Sequence, residues 1–330
     1  LVSYPGYDIN KMANGVDAEY YAKLQADLSV PQWNMATQQK TAPGSTFKMV
    51  SATAAIEEGA VASIGETILC TGVFDKLAPT IHRCWIYPSA HGAMNLSNAI
   101  ANSCNSYFYE VGYRLSQDGT GYNSDYGLSR LKKYADLFGL TEKSGVEIME
   151  AEPEFSNLYA VPSYIGQGTH NYTTVGLARY VTTVANSGTC YNLSILDKLT
   201  DSKGNVIEDY TPEVRNTVDL DNSLWNAIHS GMRQVVEKKK YYDDLAVHVA
   251  GKTGTAQQDK TRANHALFVS YAPYEDPEIS VSVRIANGYS SDYAAQTARD
   301  VYKYYYGLAK EEELVTGTAD TLDATAGTGD

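Results

Sequence analysis

The clearest alternation in the chain lies toward its C-terminal end, where Ile279, Val281, Val283 and Ile285 interleave with Ser280, Ser282, Arg284 and Ala286. A period of two predicts a strand with one face turned to a core. The apolar run over 266–271 precedes it across a turn region at 273–277, so the two form an antiparallel hairpin, and a further strand is predicted over 246–257. Residues 290–306 then read as a helix that covers the sheet. Nearer the N-terminus the period changes. Behind Pro43-Gly44, an Ala-rich and nearly uncharged stretch over 45–59 ends at Gly59 and predicts a helix buried on most sides. Leu128, Leu131, Tyr134, Ala135 and Phe138 keep three-and-four spacing before Gly139 and predict an ordinary surface helix over 128–138. Strands gathered in one region with helices around them predict an α+β architecture, an antiparallel sheet flanked by helices.

Composition narrows the picture. With 330 residues, 43% hydrophobic and 20% charged, the chain can bury a full core. A net charge of −13 argues against nucleic acid as a partner, because neutralising phosphates takes a basic patch and none is present. No run of apolar residues is long enough to span a bilayer. The opening residues, Leu1 to Gly6, read as the end of a strand, which predicts a fragment whose first strand and membrane anchor lie upstream. Residues 311–330 carry six acids and no Lys or Arg among Thr, Ala and Gly, which predicts a disordered acidic tail behind a single domain over 1–310.

Three polar clusters carry the candidate chemistry: Ser45-Thr46-Phe47-Lys48, Ser103-Cys104-Asn105 and Lys252-Thr253-Gly254-Thr255. Positions three apart on a helix are neighbours, so Lys48 reaches the Ser45 hydroxyl. A serine is a poor nucleophile without an adjacent base, and a lysine serves as one only where an apolar site and a second cation such as Lys252 favour its neutral form. Unpaired N–H groups at the start of the helix, that of Ser45 among them, suit a developing oxyanion. Ser103 adds a hydroxyl able to relay a proton, and Asn105 an amide able to hold a carbonyl. On a strand, Thr253 and Thr255 share a face, and with Lys252 they suit a substrate carboxylate. Gly254 leaves room for a substrate backbone to pair with the strand edge. Each cluster alone has a plain reading as a solvated surface pair, a helix cap or a Thr-rich edge strand. The ordered triple does not.

With these clusters in place, the chain resembles the transpeptidase domain of a penicillin-binding protein, over nearly all of residues 1–310. The motifs that carry the resemblance are Ala42-Pro43-Gly44-Ser45 through Lys48, His91-Gly92, Ser103 through Phe108, Gly166-Gln167-Gly168 and Gly251 through Gln257. The stretch from Cys84-Trp85 to Gly112 is most similar to the class B, monofunctional enzymes of the elongation or sporulation type. The resemblance implies the penicillin-binding protein and serine β-lactamase-like fold, and D,D-transpeptidase activity on peptidoglycan stem peptides ending in D-Ala-D-Ala, with D,D-carboxypeptidase activity when water replaces the acceptor amine. It implies acylation by β-lactams. It makes Ser45 the nucleophile, Lys48 its base, Ser103 and Asn105 the relay and amide contact, and Lys252, Thr253 and Thr255 the carboxylate site, with the backbone N–H groups of Ser45 and Thr255 as oxyanion hole. It implies no cofactor for the chemistry, a glycan polymerase and wall-synthesis complex as partners, and a place on the extracytoplasmic face of the bacterial membrane.

Two competing activities share the clusters. A β-lactamase needs a carboxylate that activates water; Glu152-Pro153-Glu154-Phe155-Ser156-Asn157 superficially resembles such a loop, but its Asn stands one residue too far, and Glu152 reads as structural. A β-lactam sensor or wall-assembly scaffold would keep an acylatable serine without turnover. Cys70, Cys84, Cys104 and His91 form a separate group. They read as a Cys70 to Cys84 disulfide, as free buried thiols, or as a closed Cys3His zinc site behind the Ser103-Cys104-Asn105 motif. Some elongation-type members of the family hold zinc there.

Overall fold

The computed structural model describes residues 1–13, 15–256 and 261–315. A three-stranded antiparallel sheet is built from β3 (Ala250–Ala256), β4 (His265–Ala272) and β5 (Ile279–Ile285), in that order. Opposite residues share a face, so the registers Lys252↔Val269↔Ser282 and Gly254↔Leu267↔Arg284 define one side of the sheet. The other side carries Ala266, Phe268 and Ala272 into a small core beneath helix α7 (Ser291–Tyr305). The predicted strands and covering helix lie where their periodicity puts them. Gln257 lies outside the described residues.

The first side of the sheet meets the larger core, which is centred on α1 (Lys48–Glu57). Every residue of α1 from Lys48 to Ala55 is buried. That is the consequence of a sequence with no charge between Lys48 and Glu57, since a helix apolar all round has no face to give to water. Around it pack α3 (Asn105–Leu115), α4 (Ser124–Leu137) and α6 (Asn222–Glu237), with α5 (Thr174–Ala185) closing the side near β5. A two-residue strand β1 (Lys40–Thr41) pairs with β2 (Tyr172–Thr173) and feeds the turn that precedes α1.

Helix α4 is the amphipathic surface helix its spacing predicts, begun four residues earlier, at Ser124. Leu131, Tyr134 and Ala135 are buried in the main core, and its polar face grips the end of α1. There Glu58 bonds the Arg130 guanidinium, the Lys133 amine and the Tyr134 hydroxyl at 2.9, 3.0 and 2.7 Å. Burial works against the Glu58 charge, but Tyr134, Lys133 and Arg130 together outweigh it and hold the carboxyl at about 2, from an ordinary 4.5.

Two expectations are corrected. Residues 1–6 form no strand, because they lie exposed and pair with no neighbour among the described residues; an isolated strand has nothing to satisfy its backbone. Within the predicted tail, Glu311–Leu314 form a helical turn in which Glu313 accepts from the Lys310 backbone N–H at 2.8 Å, while residues 316–330 lie outside the described residues.

Glycines set the closest approaches. Gly166, at φ +75°, would drive a β-carbon to 2.0 Å from the Gly44 carbonyl oxygen, and Gly44 N–H donates to the Gly166 carbonyl at 3.0 Å. Gly59, at φ +70°, has open space instead. Gly166→Ala should therefore cost well over the roughly 1–2 kcal/mol of left-handed strain expected for Gly59→Ala, read by urea unfolding; equal losses would refute the backbone interlock. For Glu58 the folded pKa lies below the unfolded one, so its contribution is complete above pH 4.5 and drains as pH falls toward 2. Glu58→Gln should lower stability at neutral pH and flatten the fall in melting temperature across that acid window.

Candidate active site

Ser45 sits in a 3-10 turn, Gly44–Phe47, which passes into α1 at Lys48. The sequence places it in the first turn of an α-helix; the structure winds this turn more tightly, a geometry in which positions i and i+3 eclipse one another. Thr46 caps its own turn by donating to the Pro43 carbonyl at 2.7 Å, and the Tyr180 hydroxyl donates to the Thr46 carbonyl at 3.1 Å. Phe47, fully buried, pins the turn from below against His170, ring centroids 4.5 Å apart.

His170 is a supporting residue that no periodicity marked. Its Nδ1 accepts from the Ser156 N–H at 3.1 Å and from the Tyr172 hydroxyl at 2.9 Å, and its Nε2 faces the Ser163 carbonyl at 3.3 Å. Burial pushes the imidazole down to about 3, so it stays neutral and behaves as a wedge.

The second cluster occupies the tight turn between α2 (Leu96–Ala101) and α3. Ser103 takes a left-handed φ of +50°, rare for a residue with a side chain, and Cys104 begins α3 behind it. Helix α6 carries this turn toward the sheet. Gly231 lets α6 approach α2 so closely that a β-carbon there would lie 2.8 Å from Ile100, and Lys238 bonds the Ala101 carbonyl and the Asn102 side chain at 3.1 and 2.8 Å.

At the centre, the Lys48 amine donates to the Ser103 carbonyl at 2.7 Å, the Ser103 hydroxyl at 3.1 Å and Asn105 Oδ1 at 2.7 Å. The Lys252 amine reaches the same Ser103 hydroxyl at 2.9 Å and the Thr253 carbonyl at 3.0 Å. Both lysines have no exposed surface, and Lys48 also lies 5.6 Å from the Phe108 ring centre. Ser45 and Ser103 keep only 7% and 5% exposure, which makes the groove narrow rather than open.

Strand β3 forms the other wall. Gly254 seats the Ser45 turn: a β-carbon there would meet the Thr46 methyl at 2.8 Å and the Pro43 carbonyl at 2.9 Å. From the other side, a β-carbon on Gly44 would meet the Thr255 carbonyl oxygen at 2.5 Å. Gln167 also donates to that carbonyl, at 3.4 Å, so Thr255 C=O points away from β4. In an antiparallel strand the N–H and C=O of one residue point the same way, and the Thr255 N–H therefore faces the Ser45 side. Thr253 and Thr255 lie on the sheet face opposite Lys252. Thr255 is partly exposed and Thr253 is closed at 3%.

Glu152 stands in an exposed ion pair with Lys143 at 2.8 Å, and Glu154 pairs with Lys40. The loop that superficially resembles a deacylating one spends these carboxylates on surface lysines. The four cysteines are free. Cys70, Cys84 and Cys104 and His91 converge, their ligand atoms all within 4.8 Å of one another, with both Cys70 and Cys84 sulfurs 3.6 Å from His91 Nδ1. Hydrogen bonding from Cys104 draws the Cys84 thiol down and the same contact raises Cys104, as expected of thiols packed this closely.

The chain matches the family model described as the penicillin binding protein transpeptidase domain over residues 1–303. It is 29% identical to the peptidoglycan D,D-transpeptidase MrdA of Haemophilus influenzae, across 92% of this chain and 50% of that protein. Against MrdA of Escherichia coli K12 the identity is 25%, across 87% of this chain and 49% of the relative. The chain thus spans about half the length of the curated relatives it matches. Among solved structures, Pseudomonas aeruginosa PBP2 in complex with WCK 5153 superposes with a TM-score of 0.80 at 26% identity, covering 94% of this chain and 71% of that one. The imipenem acyl-enzyme of penicillin-binding protein A from M. tuberculosis has the same TM-score at 22% identity, over 94% and 70%, and shows the shared fold. The paired lysines around one serine hydroxyl, the glycine-seated turn and a match across almost the whole chain lead to one conclusion: this protein belongs to the penicillin-binding protein transpeptidase family.

Proposed function

We propose that the chain is the catalytic domain of a class B peptidoglycan D,D-transpeptidase that works through an acyl-serine intermediate. The observation that carries this reading is the Ser103 hydroxyl held between two buried amines, 3.1 Å from Lys48 and 2.9 Å from Lys252, beside the Ser45 turn. Burial and a second amine both disfavour the charged form of a lysine, while the acceptors around Lys48 favour it. Such a balance suits a group that takes a proton and gives it back.

In the first half-reaction Lys48 accepts the Ser45 hydroxyl proton as the oxygen attacks the penultimate D-Ala carbonyl. The oxyanion that forms faces the N–H groups of Ser45 and Thr255. Ser103 passes a proton to the departing D-Ala nitrogen, drawing on Lys48 or Lys252, and the C–N bond breaks to leave the Ser45 ester. In the second half-reaction an acceptor amine attacks the ester, its proton returns through the same groups, and the cross-link is released. Asn105 holds the substrate amide, and Thr253 and Thr255 with the field of Lys252 bind the terminal carboxylate. With Glu152 and Glu154 engaged on the surface, the ester is protected from the carboxylate-assisted hydrolysis a β-lactamase uses, so β-lactams acylate Ser45 and remain. The anchored placement outside the cytoplasmic membrane and a glycan-polymerase partner follow from this activity; one solved relative, 26% identical, is described as a peptidoglycan synthase complex coordinating polymerisation and crosslinking.

A zinc ion fits behind this site. Zinc–sulfur and zinc–nitrogen bonds of about 2.3 and 2.0 Å at a tetrahedral angle place sulfur and nitrogen about 3.5 Å apart. The sulfurs of Cys70 and Cys84 lie 3.6 Å from His91 Nδ1. With Cys70, Cys84, His91 and Cys104 filling all four positions, the metal would be structural, and through Cys104 it would brace the left-handed Ser103 turn.

Intact mass after mixing with penicillin should show a stable adduct of one drug, absent in Ser45→Ala, and Ser103→Ala should slow acylation by roughly 10²–10⁴-fold. An adduct that forms and then vanishes as drug is hydrolysed would instead establish a β-lactamase. Protein purified without chelator should carry one zinc per chain, and Cys70→Ser should lose it together with several degrees of melting temperature; metal analysis without stoichiometric zinc would remove the ion from this account.

A further inference from the structure

Arg284 is out of place in its surroundings. It stands on the face of the sheet that carries the Ser45 turn, in the row Gly254↔Leu267↔Arg284, two strands across from the glycine that seats the turn. Its Nε is sealed from solvent without a hydrogen-bond partner, and among the described residues its guanidinium forms no hydrogen bond or ion pair. The side chain as a whole is half-buried, and a sealed N–H without an acceptor is costly. Here burial alone acts on it, which lowers its pKa.

The side chain lines a cavity of about 290 Å3 together with Met35, Gln39, Arg262, His265 and Asn287. In a chain with 39 acidic residues, the described lining contains no Asp or Glu and two arginines. His265 completes the wall: its Nδ1 accepts from the Asn287 N–H at 3.0 Å, and burial with Arg284 nearby pushes the ring down to about 4, so it stays neutral. The adjoining turn is held in an uncommon shape, with left-handed φ of +51° at Asn287 and +61° at Tyr289. Leu267, Val269 and Lys252 on the same face are buried, so among the described residues the gap beside Arg284 lies at this end of the sheet.

We propose that this cavity is a carboxylate-binding subsite for an acidic peptide residue, with Arg284 as its anchor and Arg262 as its outer clamp. A guanidinium fork matches a carboxylate through two parallel hydrogen bonds, the unpaired Nε supplying one. The volume admits a single acidic side chain or chain end and excludes a folded partner. Resting on the transpeptidase reading, the natural ligand is a carboxylate of a stem peptide that extends past the Ser45 turn, and the subsite then acts on peptide binding rather than on acylation.

The test uses the whole chain and four proteins: wild type, Arg284→Met, Arg284→Lys and Arg262→Gln. Glutarate at millimolar concentration should raise the melting temperature of the wild type, by linkage, and should leave Arg284→Met unmoved. Arg284→Met should melt no lower than wild type in the absence of ligand, since it removes a sealed N–H that has no acceptor; a lower melting temperature would mean that Arg284 is structural and would overturn the proposal. Arg284→Lys, which keeps charge and loses the fork, should weaken glutarate binding at least about tenfold, and Arg262→Gln by a smaller factor. Inorganic phosphate is the comparison: a shift equal to that of glutarate would show a general anion site and refute carboxylate recognition. In the functional arm, Arg284→Met should raise KM for a stem pentapeptide while penicillin acylation stays at the wild-type rate. Loss of acylation in the wild type itself would defeat the transpeptidase reading and leave the glutarate result to stand or fall separately.

Discussion

Two lysine amines taken out of water converge on one serine hydroxyl, and the rest of the molecule is arranged around the cost of that arrangement. Each ammonium buried without compensation would destabilise the fold by several kcal/mol. The compensation is local: Lys48 finds the Ser103 carbonyl, the Ser103 hydroxyl and Asn105, and Lys252 finds the Ser103 hydroxyl and the Thr253 carbonyl. The amines and their acceptors come from three separate stretches of chain, so the site exists only when α1, the α2 to α3 turn and β3 are docked. Stability and chemistry are therefore coupled at the same atoms. A proton moved between these groups changes which of the hydrogen bonds are satisfied.

Docking is achieved by backbone contact rather than by side-chain packing. Gly254 and Gly44 let β3 and the Ser45 turn touch without intervening β-carbons, and Gly166 presses on Gly44 from behind. Backbone atoms have less freedom to yield than side chains, so this contact fixes the N–H groups of Ser45 and Thr255 relative to each other more firmly than apolar packing would. Phe47 and the neutral His170 hold the turn from the core side. Behind the second motif, Cys70, Cys84, His91 and Cys104 converge beside Ser103, which holds a left-handed conformation. Solved structures similar to this chain fold the same way at 22–26% identity, which is consistent with a geometry set by a few glycines and polar contacts rather than by the identity of the core residues.

Much of this was legible before any coordinates. Alternation at 279–285 and the apolar run before it located two strands of the sheet, the uncharged stretch after Pro43-Gly44 located the most buried helix, and three polar clusters located the groups that meet at the groove. Local readings failed where a partner decided the outcome. Leu1 to Gly6 find no strand to pair with among the described residues, and no local pattern announced that Glu58 ties α4 to the end of α1 or that Gly254 seats the Ser45 turn.

What the sequence determined by itself was the inventory and its local geometry: which residues bring a hydroxyl, an amine or a thiol, and which of them lie close on one helix or one strand, because periodicity is a property of neighbouring residues. Only the tertiary structure decided that Lys48 and Lys252, far apart in the chain, share one acceptor; that three cysteines and a histidine converge; and that the Arg284 Nε is left, among the described residues, without a partner beside a cavity. Those facts depend on which surfaces exclude water from one another, and no periodicity records a contact between segments separated by a hundred residues or more.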